Sequence, residues 1–329
     1  MSDEKQKPHA EKPYDQSDVL TVDDERTYVR MDFRTRVLKT EEETGMIWME
    51  IVPDPRRYQE VIRNGRKLWV DKYFNEALSE ESLTDLARQC SGVPLSHLPR
   101  HIDDAVAYTE DRRRALATEM VIGEHIPPAE KLERHSIVAT TPAKRSMTFL
   151  SIDICDSTAL QAKFGETYDR CFEFFFREMV NAVAQFSGRI FKPTGDGLIA
   201  YIDTPSINTQ CDAAIDMGLT LLRVLNDAVN PMLERNGLQT LQMRVGAEHG
   251  LARVKALSVP SIDYYAPEIT ADALNRAVKV EKTCEPNTFR IGETLYRRIH
   301  VQWLERAQLT TSDISAMVGM AGYRVYLIR

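Results

Sequence analysis

The chain is short of cysteine. Five thiols (Cys90, Cys155, Cys171, Cys211 and Cys284) are scattered through 329 residues, odd in number and without a Cys-x-x-Cys pair. That excludes a zinc ribbon and a disulfide framework, suits a reducing compartment, and leaves the five as plain buried thiols. No apolar run approaches the roughly 18 residues that a membrane span needs. The opening MSDEKQKPHAEKPYDQ is charged and proline-bearing, unlike a secretory leader, so a cytoplasmic location is expected. A basic excess is missing as well. Lys and Arg number 42 against 49 Asp and Glu, a formal charge of −7, which argues against a dedicated nucleic-acid binder. Neither an internal repeat nor a low-complexity tract is found. What remains is a globular composition, 43% hydrophobic and 28% charged, with length for two domains.

Residues 1–25 are polar, acidic and proline-bearing, and read as a disordered lead. Residues 26–140 read as an N-terminal α+β region without a named role. In it "TYVRMDF" and "MIWMEIV" have strand character, Asn64-Gly65 marks a turn before "KLWV", and helices are expected in "SEESLTDLARQC" and "DDAVAYTEDRRRALATEM". The run Arg112-Arg113-Arg114 reads as a solvated helix face. Pro127, Pro128 and Pro142 mark a linker, with a boundary near residue 140. From there the pattern alternates. A buried strand over 148–154 precedes helices through Phe186, with Gly188 as the cap, and "RIFKPTGDGLIAYI" reads as a hairpin. A helix over 210–229, two strands "LQMRVGAEHG" and "LARVKALS", a helix around 270–283 and the strand "TFRIG" follow. This succession implies an α/β (α+β) domain over 141–329, a mixed and mainly antiparallel sheet covered by helices.

The residues with chemistry in them sit at strand ends. "MTFLSIDICDST" is an apolar strand that finishes in carboxylates, Asp153 and Asp156, and Asp196 lies at the tip of the glycine-flanked turn "TGDG". Carboxylates at the ends of adjacent strands make a hard, oxygen-rich site that suits Mg²⁺ or Mn²⁺ carrying a phosphate. Asp156, followed by Ser157 and Thr158, reads instead as a helix cap. Taken alone, "GDG" is a common turn.

Four blocks taken together say more. "FLSIDICDST", then "KPTGDG" with its Asp 43 residues after Asp153, then "MRVGAEHG" and "ALNRAVKVEKTCEPNTFRIG", resemble the catalytic domain of class III nucleotidyl cyclases over about residues 146–329. The consensus there reads approximately F-x-D-I-x-G-F-T, K-x-x-G-D-G, R-x-G-I-x-x-G and V-N-x-A-x-R. The resemblance implies a nucleoside triphosphate substrate and a 3′,5′-cyclic nucleotide product. It also implies two divalent ions, Mn²⁺ or Mg²⁺, held by Asp153, Asp196 and the backbone carbonyl of Ile154. Asn275 and Lys279, four apart on one helix face, match the positions that orient the ribose and stabilise the α-phosphate. Lys279 stands where relatives carry arginine and lacks its planar fork. The phosphate lysine expected near the C-terminus is replaced by "MVGMAGYRVYLI", where Arg324 is the substitute.

Lys192 and Glu268 match the base-reading positions, the second usually Asp in adenylyl cyclases. Two readings stay open: an adenine pocket with donor and acceptor kept, or a pocket narrowed to a one-ring base. Gly-to-Asp156, Gly-to-Ala271 and Phe-to-Ser157 exchanges make the chain similar to the pyrimidine cyclases of the bacterial anti-phage system Pycsar. Those make cyclic UMP or cyclic CMP, so a separate cyclic-nucleotide effector is the implied reader of the product. Two catalytic domains pair head to tail in this family, which implies a homodimer with composite sites. No nucleic-acid or membrane partner is expected.

Overall fold

The computed structural model describes residues 30–89, 102, 104–129 and 143–329. The lead expected over 1–25, residues 130–142 of the expected linker, Cys90 and the first three residues of "TYVRMDF" lie outside the described residues, and of the other four residues only Phe33 is in a strand. That region begins with an antiparallel ribbon, β1 (Phe33–Thr40) and β2 (Ile47–Pro53), followed by a meander of β3 (Tyr58–Arg63), β4 (Arg66–Asp71) and β5 (Ala77–Ser79). Asn64 and Gly65, both at positive φ, make the β3–β4 turn at the expected place. Helices α1 (Glu80–Gln89) and α2 (Ala105–Ile122) complete it. Asp104 starts α2 by accepting from the Val106 and Ala107 N–H groups, and Gly123 ends it in the left-handed region.

The C-terminal part contains β6 (Ala143–Ile154), α3 (Ser157–Phe164), α4 (Glu166–Ala184), β7 (Arg189–Pro193), β8 (Gly197–Ile202), α5 (Ile207–Val224) and α6 (Asn230–Arg235). It continues with β9 (Met243–Val259), β10 (Tyr264–Thr270), α7 (Asp272–Glu281), β11 (Thr288–Gly292) and α8 (Glu293–Tyr296). It ends with α9 (Val301–Leu304), β12 (Ala307–Leu309), α10 (Ser315–Val318) and β13 (Val325–Ile328). Its sheet runs β12-β13-β11-β9-β6-β8-β7, with β10 paired to the outer half of β9. Only β9–β11 is a parallel pair, so the sheet is mixed and mainly antiparallel, as expected.

Three elements depart from the sequence reading. The two strands expected over "LQMRVGAEHG" and "LARVKALS" are one, β9, because Gly250 pairs with Met147 in mid-sheet instead of breaking the ladder. The helix expected over 210–229 runs from Ile207 to Arg235, crossing a π-helical stretch at Leu225–Val229. Pro231 lacks the N–H that would continue the regular ladder, which accounts for the widened turn. At the end of α4, Ser187 takes the left-handed conformation, and Gly188 is needed for space: a Cβ there would meet the Val183 carbonyl at 2.7 Å.

The period of two along β6 gives its faces different neighbours. Leu150, Ile152 and Ile154 enter the main core with Phe175 and Met179 of α4 and Ile215 and Leu221 of α5. Met147 and Phe149 point the other way, into a second core with Ala273 and Ala277 of α7. Asp153 belongs to this second row.

Arg112 corrects the reading of the arginine run. Neighbouring residues on a helix diverge by about 100°, so Arg113 and Arg114 stay partly exposed while Arg112 turns inward. It is buried and forms a two-pronged pair with Glu178 of α4 at 2.7 and 2.8 Å. A second buried cluster joins the N-terminal region to the sheet domain. Arg57 lies between Asp32 (2.9 Å) and Asp71 (2.7 Å), and Arg30 links Asp32 to Asp212 of α5 and to the Arg298 carbonyl. Arg57→Ala leaves two buried carboxylates uncompensated and is expected to cost about 3–5 kcal/mol in denaturant unfolding, whereas Arg114→Ala stays within ~0.5 kcal/mol.

Candidate active site

The end of β6 is where the sheet delivers its carboxylates. Asp153 faces Gly197 of β8 on one side and Arg244 of β9 on the other. The Thr194–Asp196 loop between β7 and β8 closes with the Thr194 N–H on the Gly197 carbonyl (3.0 Å), and Gly195 supplies the positive φ. Gly197 itself is required by proximity: a Cβ would lie 2.1 Å from the Ile152 carbonyl oxygen. That contact lets the hairpin tip fold over the β6 end. The Ile154 N–H donates to the Asp196 carbonyl at 3.3 Å, and the two carboxylates become neighbours.

Asp156 occupies the position before α3, as expected, yet its side chain caps nothing. It adopts φ +55°, a left-handed conformation in which glycine is at ease, which is the residue the cyclase consensus has there. Ser157, in place of the consensus phenylalanine, has a different task. Its hydroxyl donates to Asp196 Oδ2.

The electrostatics of the corner are those of like charges crowded together. Burial pushes the Asp153 carboxyl up, Arg244 opposes this through its hydrogen bond, and the Asp196 charge adds to the rise. Arg244 Nη2 donates to Asp153 Oδ2 at 2.5 Å while its Nε stands 3.1 Å from Glu281 Oε1 at the end of α7. Burial, with the charge of Asp153, raises Glu281 to about 7. Arg244 and Glu281, which sequence reasoning missed as site residues, thereby tie α7 to the carboxylate pair. The arginine of "MRVGAEHG" was visible in the motif, but nothing marked Glu281 as its partner.

Among the described residues, no three His, Cys, Asp or Glu side chains converge on a point. The donor set here is therefore two carboxylates with adjacent carbonyls, a hard oxygen set of the kind Mg²⁺ and Mn²⁺ take. Asp153 and Asp196 lie side by side with Arg244 as the cation on Asp153, so the chemistry of the donor set fits a divalent ion.

The other sequence candidates lie elsewhere in the chain. Asn275 is exposed on α7, and Lys279 is partly exposed one turn on, with its ammonium on the Met317 carbonyl of α10. Glu268 pairs with Lys255 on the outer half of β9, eleven residues beyond Arg244. At a strand rise of ~3.3 Å per residue, that is about 35 Å followed along β9. Lys192 is exposed at the β7 end of the hairpin, its ammonium 5.1 Å from the centre of the Phe191 ring. Arg324 is exposed and holds Glu293 at 2.6 Å. One chain thus brings Asp153, Ile154 and Asp196 together, while Glu268 enters on β10, outside that corner.

Glu281 and the more deeply buried Glu248, also raised to about 7, set a pH dependence. In the unfolded chain both ionise near 4.5; folded, they hold their protons to higher pH. The native state therefore binds more protons between pH 4.5 and 7, and stability falls as pH rises through that window. Glu281→Gln removes one of the two groups, so urea midpoints measured from pH 4.5 to 7.5 should fall less steeply than in the parent protein.

Comparison with known proteins gives the family. The family model for the adenylate and guanylate cyclase catalytic domain matches residues 140–329. Among solved structures, the adenylyl cyclase CyaB from P. aeruginosa is similar at 17% identity, over 57% of this chain and 96% of its own, with a TM-score of 0.51. The guanylyl cyclase Cya2 aligns over 56% of this chain and 92% of its own at 18% identity and a TM-score of 0.49. The guanylate cyclase domain of RhGC from Catenaria anguillulae, in complex with GTP, aligns over 57% and 98% at 14% identity and 0.48. No curated protein matches the chain in sequence. No helix among the described residues is long and apolar enough to cross a membrane. With more than half of its length under the family model, the chain belongs to the adenylate and guanylate cyclase catalytic domain family, the class III nucleotidyl cyclases.

Proposed function

We propose that the chain is a homodimeric pyrimidine cyclase that converts UTP to cyclic UMP and pyrophosphate through two composite sites. The observation that carries the shared-site part is the distance along β9. Glu268 stands on β10, paired with the outer half of β9, eleven residues along that strand from the Arg244 that faces Asp153, so a base read there is offered to a second copy. Two copies paired head to tail bring Glu268, Lys192, Asn275 and Lys279 of one to Asp153, Ile154 and Asp196 of the other.

In that arrangement Asp153, Asp196 and the Ile154 carbonyl would hold two divalent ions. Bound there, the ions supply a lowered pKa for the ribose 3′-hydroxyl and charge neutralisation on the triphosphate. The protein's own groups do the rest. Asn275 orients the ribose, and Lys279, released from the Met317 carbonyl, meets the charge that develops on the α-phosphate. Arg324 reaches phosphate only by leaving Glu293. Lys192 donates to a base carbonyl and Glu268 accepts from the base edge. One methylene longer than the aspartate of adenylyl relatives, Glu268 shortens the pocket toward a single ring. On this reading the product is a second messenger for a separate effector, in an anti-phage circuit of the Pycsar kind. A second reading, cyclic AMP from ATP, is favoured by the same Lys192 and acidic pair, which keeps the donor and acceptor an adenine needs.

Purified protein incubated with ATP, GTP, UTP and CTP in turn, with Mn²⁺, is expected to yield cyclic UMP as the main product; turnover of ATP alone would end the pyrimidine assignment. Asp153→Asn and Asn275→Ala should each lower kcat by about 10²–10³-fold, an order-of-magnitude figure for removing one transition-state charge-stabilising group. Mixed together, the two variants should regain up to about a quarter of parental turnover, since random pairing makes half the dimers mixed, each with one intact site. Failure to regain any would remove the shared site.

A further inference from the structure

The row of β9 that faces α7 contains a carboxylate with no part in the reaction just described. Glu248 is completely buried, and its surroundings are unusually specific. Oε1 accepts the N–H groups of His249 and of Leu295 in α8, both at 2.7 Å. Oε2 accepts the hydroxyl of Tyr323, just before β13, and stands 4.0 Å from Nε of Arg276. Gly292 leaves the space for both, because a Cβ there would lie 2.1 Å from Glu248 Oε2 and from the Tyr323 oxygen. The adjacent His249 is held neutral, pushed down to about 3 by burial and by Arg298 and Arg276, and bonds Thr148 and Ser146. It brings no cation to Glu248.

Arg276 is the residue after Asn275, and it is buried with its Nε lacking a hydrogen-bond partner. On α7 the inward residues are Ala273, Arg276, Ala277, Val280 and Glu281, while Asn275 faces out. Small residues set the height of the helix over the sheet: Gly246 lies so close beneath that a Cβ would meet the Ala277 carbonyl at 2.6 Å. Alanine against glycine fixes separation but resists rotation poorly. The two buried charges supply the missing constraint, Glu281 through Arg244 at the helix end and Arg276 through Glu248 in its middle.

We infer that Glu248 is a positioning residue for the reaction: paired with Arg276, it sets the rotation of α7 and so the direction in which Asn275 and Lys279 face the partner's carboxylates. Tyr323 and the Leu295 N–H hold the glutamate, so the anchor also fixes the approach of α8 and of the β13 strand to α7. A few degrees of helix rotation move an outward side-chain tip by about an ångström, a displacement of the size that costs enzymes up to ~10²-fold in rate. This inference rests on the roles assigned to Asn275 and Lys279 above.

The test uses Glu248→Gln, assayed above the pH of about 7 at which the buried glutamate ionises, which keeps the shape and the Oε1 acceptor but removes the charge facing Arg276. The expected result is a fall in kcat of about tenfold or more with KM changed less than about twofold, in protein whose thermal transition stays cooperative. Mixing separates positioning from general damage. With Asp153→Asn protein, Glu248→Gln should regain activity, because the mixed dimer has one site with intact carboxylates and an intact α7. With Asn275→Ala protein it should gain nothing, because both defects fall in the same half-site. Recovery with both partners, or with neither while Asp153→Asn and Asn275→Ala complement each other, would overturn the inference. If that control pair fails to complement, the shared site is what falls. A cycle of Glu248→Gln and Arg276→Gln then decides on kcat alone: a double variant no worse than the poorer single supports the anchor, and additive losses refute it.

Discussion

Two like charges are held side by side in a half-buried corner, and much of the surrounding structure follows from keeping them there. Asp153 arrives on a strand whose other face is core, so it cannot retreat from Asp196 without pulling Leu150, Ile152 and Ile154 out of their packing. Asp196 arrives on a three-residue loop pressed against β6 by a glycine that no side chain can replace. Repulsion is answered from one direction by Arg244 and from another by the Ser157 hydroxyl. The glutamate that balances Arg244 sits at the end of the helix bearing Asn275 and Lys279. A change in charge at the carboxylates is therefore felt by α7.

Buried ion pairs recur where one part of the chain must register on another. Arg112 and Glu178 join α2 to α4; Arg30, Arg57, Asp32, Asp71 and Asp212 join the N-terminal strands to α5. Such pairs add little net stability over apolar contacts, since desolvation offsets most of the attraction. What they supply is direction. An apolar contact tolerates sliding and rotation, whereas a guanidinium between two carboxylates is satisfied in few geometries. The anchor between Glu248 and Arg276 applies the same logic to α7.

The parts legible in the sequence were those written in local pattern. The apolar β6, the glycine-flanked hairpin and the order of the four motif blocks placed Asp153 and Asp196 together and led to the mixed sheet. Errors arose where a local signal competed with a partner far along the chain. Gly250 looked like a strand end until Met147 paired with it. Arg112 looked solvated because Arg113 and Arg114 are, and only Glu178, 66 residues away, makes it a core residue. Asp156 looked like a cap because aspartates before helices usually are; its left-handed backbone sends the side chain elsewhere. Arg244, Glu281 and Glu248 were invisible as a set, since their meeting depends on how α7 lies over β9, which no spacing rule encodes.

Because side chains alternate along a strand, β6 and β9 let stability and chemistry be changed separately. In β6 the residues at 150, 152 and 154 meet α4 and α5, and in β9 those at 243, 245 and 247 enter the same core. The intervening residues, Asp153 in β6 and Arg244, Gly246 and Glu248 in β9, meet α7 or the carboxylate corner. Truncation in the first set creates a cavity and costs folding energy wherever the chain's reaction stands. Exchange in the second set alters where α7 points and how charge is shared, with the core intact. A one-residue slip between β6 and β9 would exchange the two sets and bury Asp153 against α4, so the carboxylate corner and the hydrophobic core enforce a single register together.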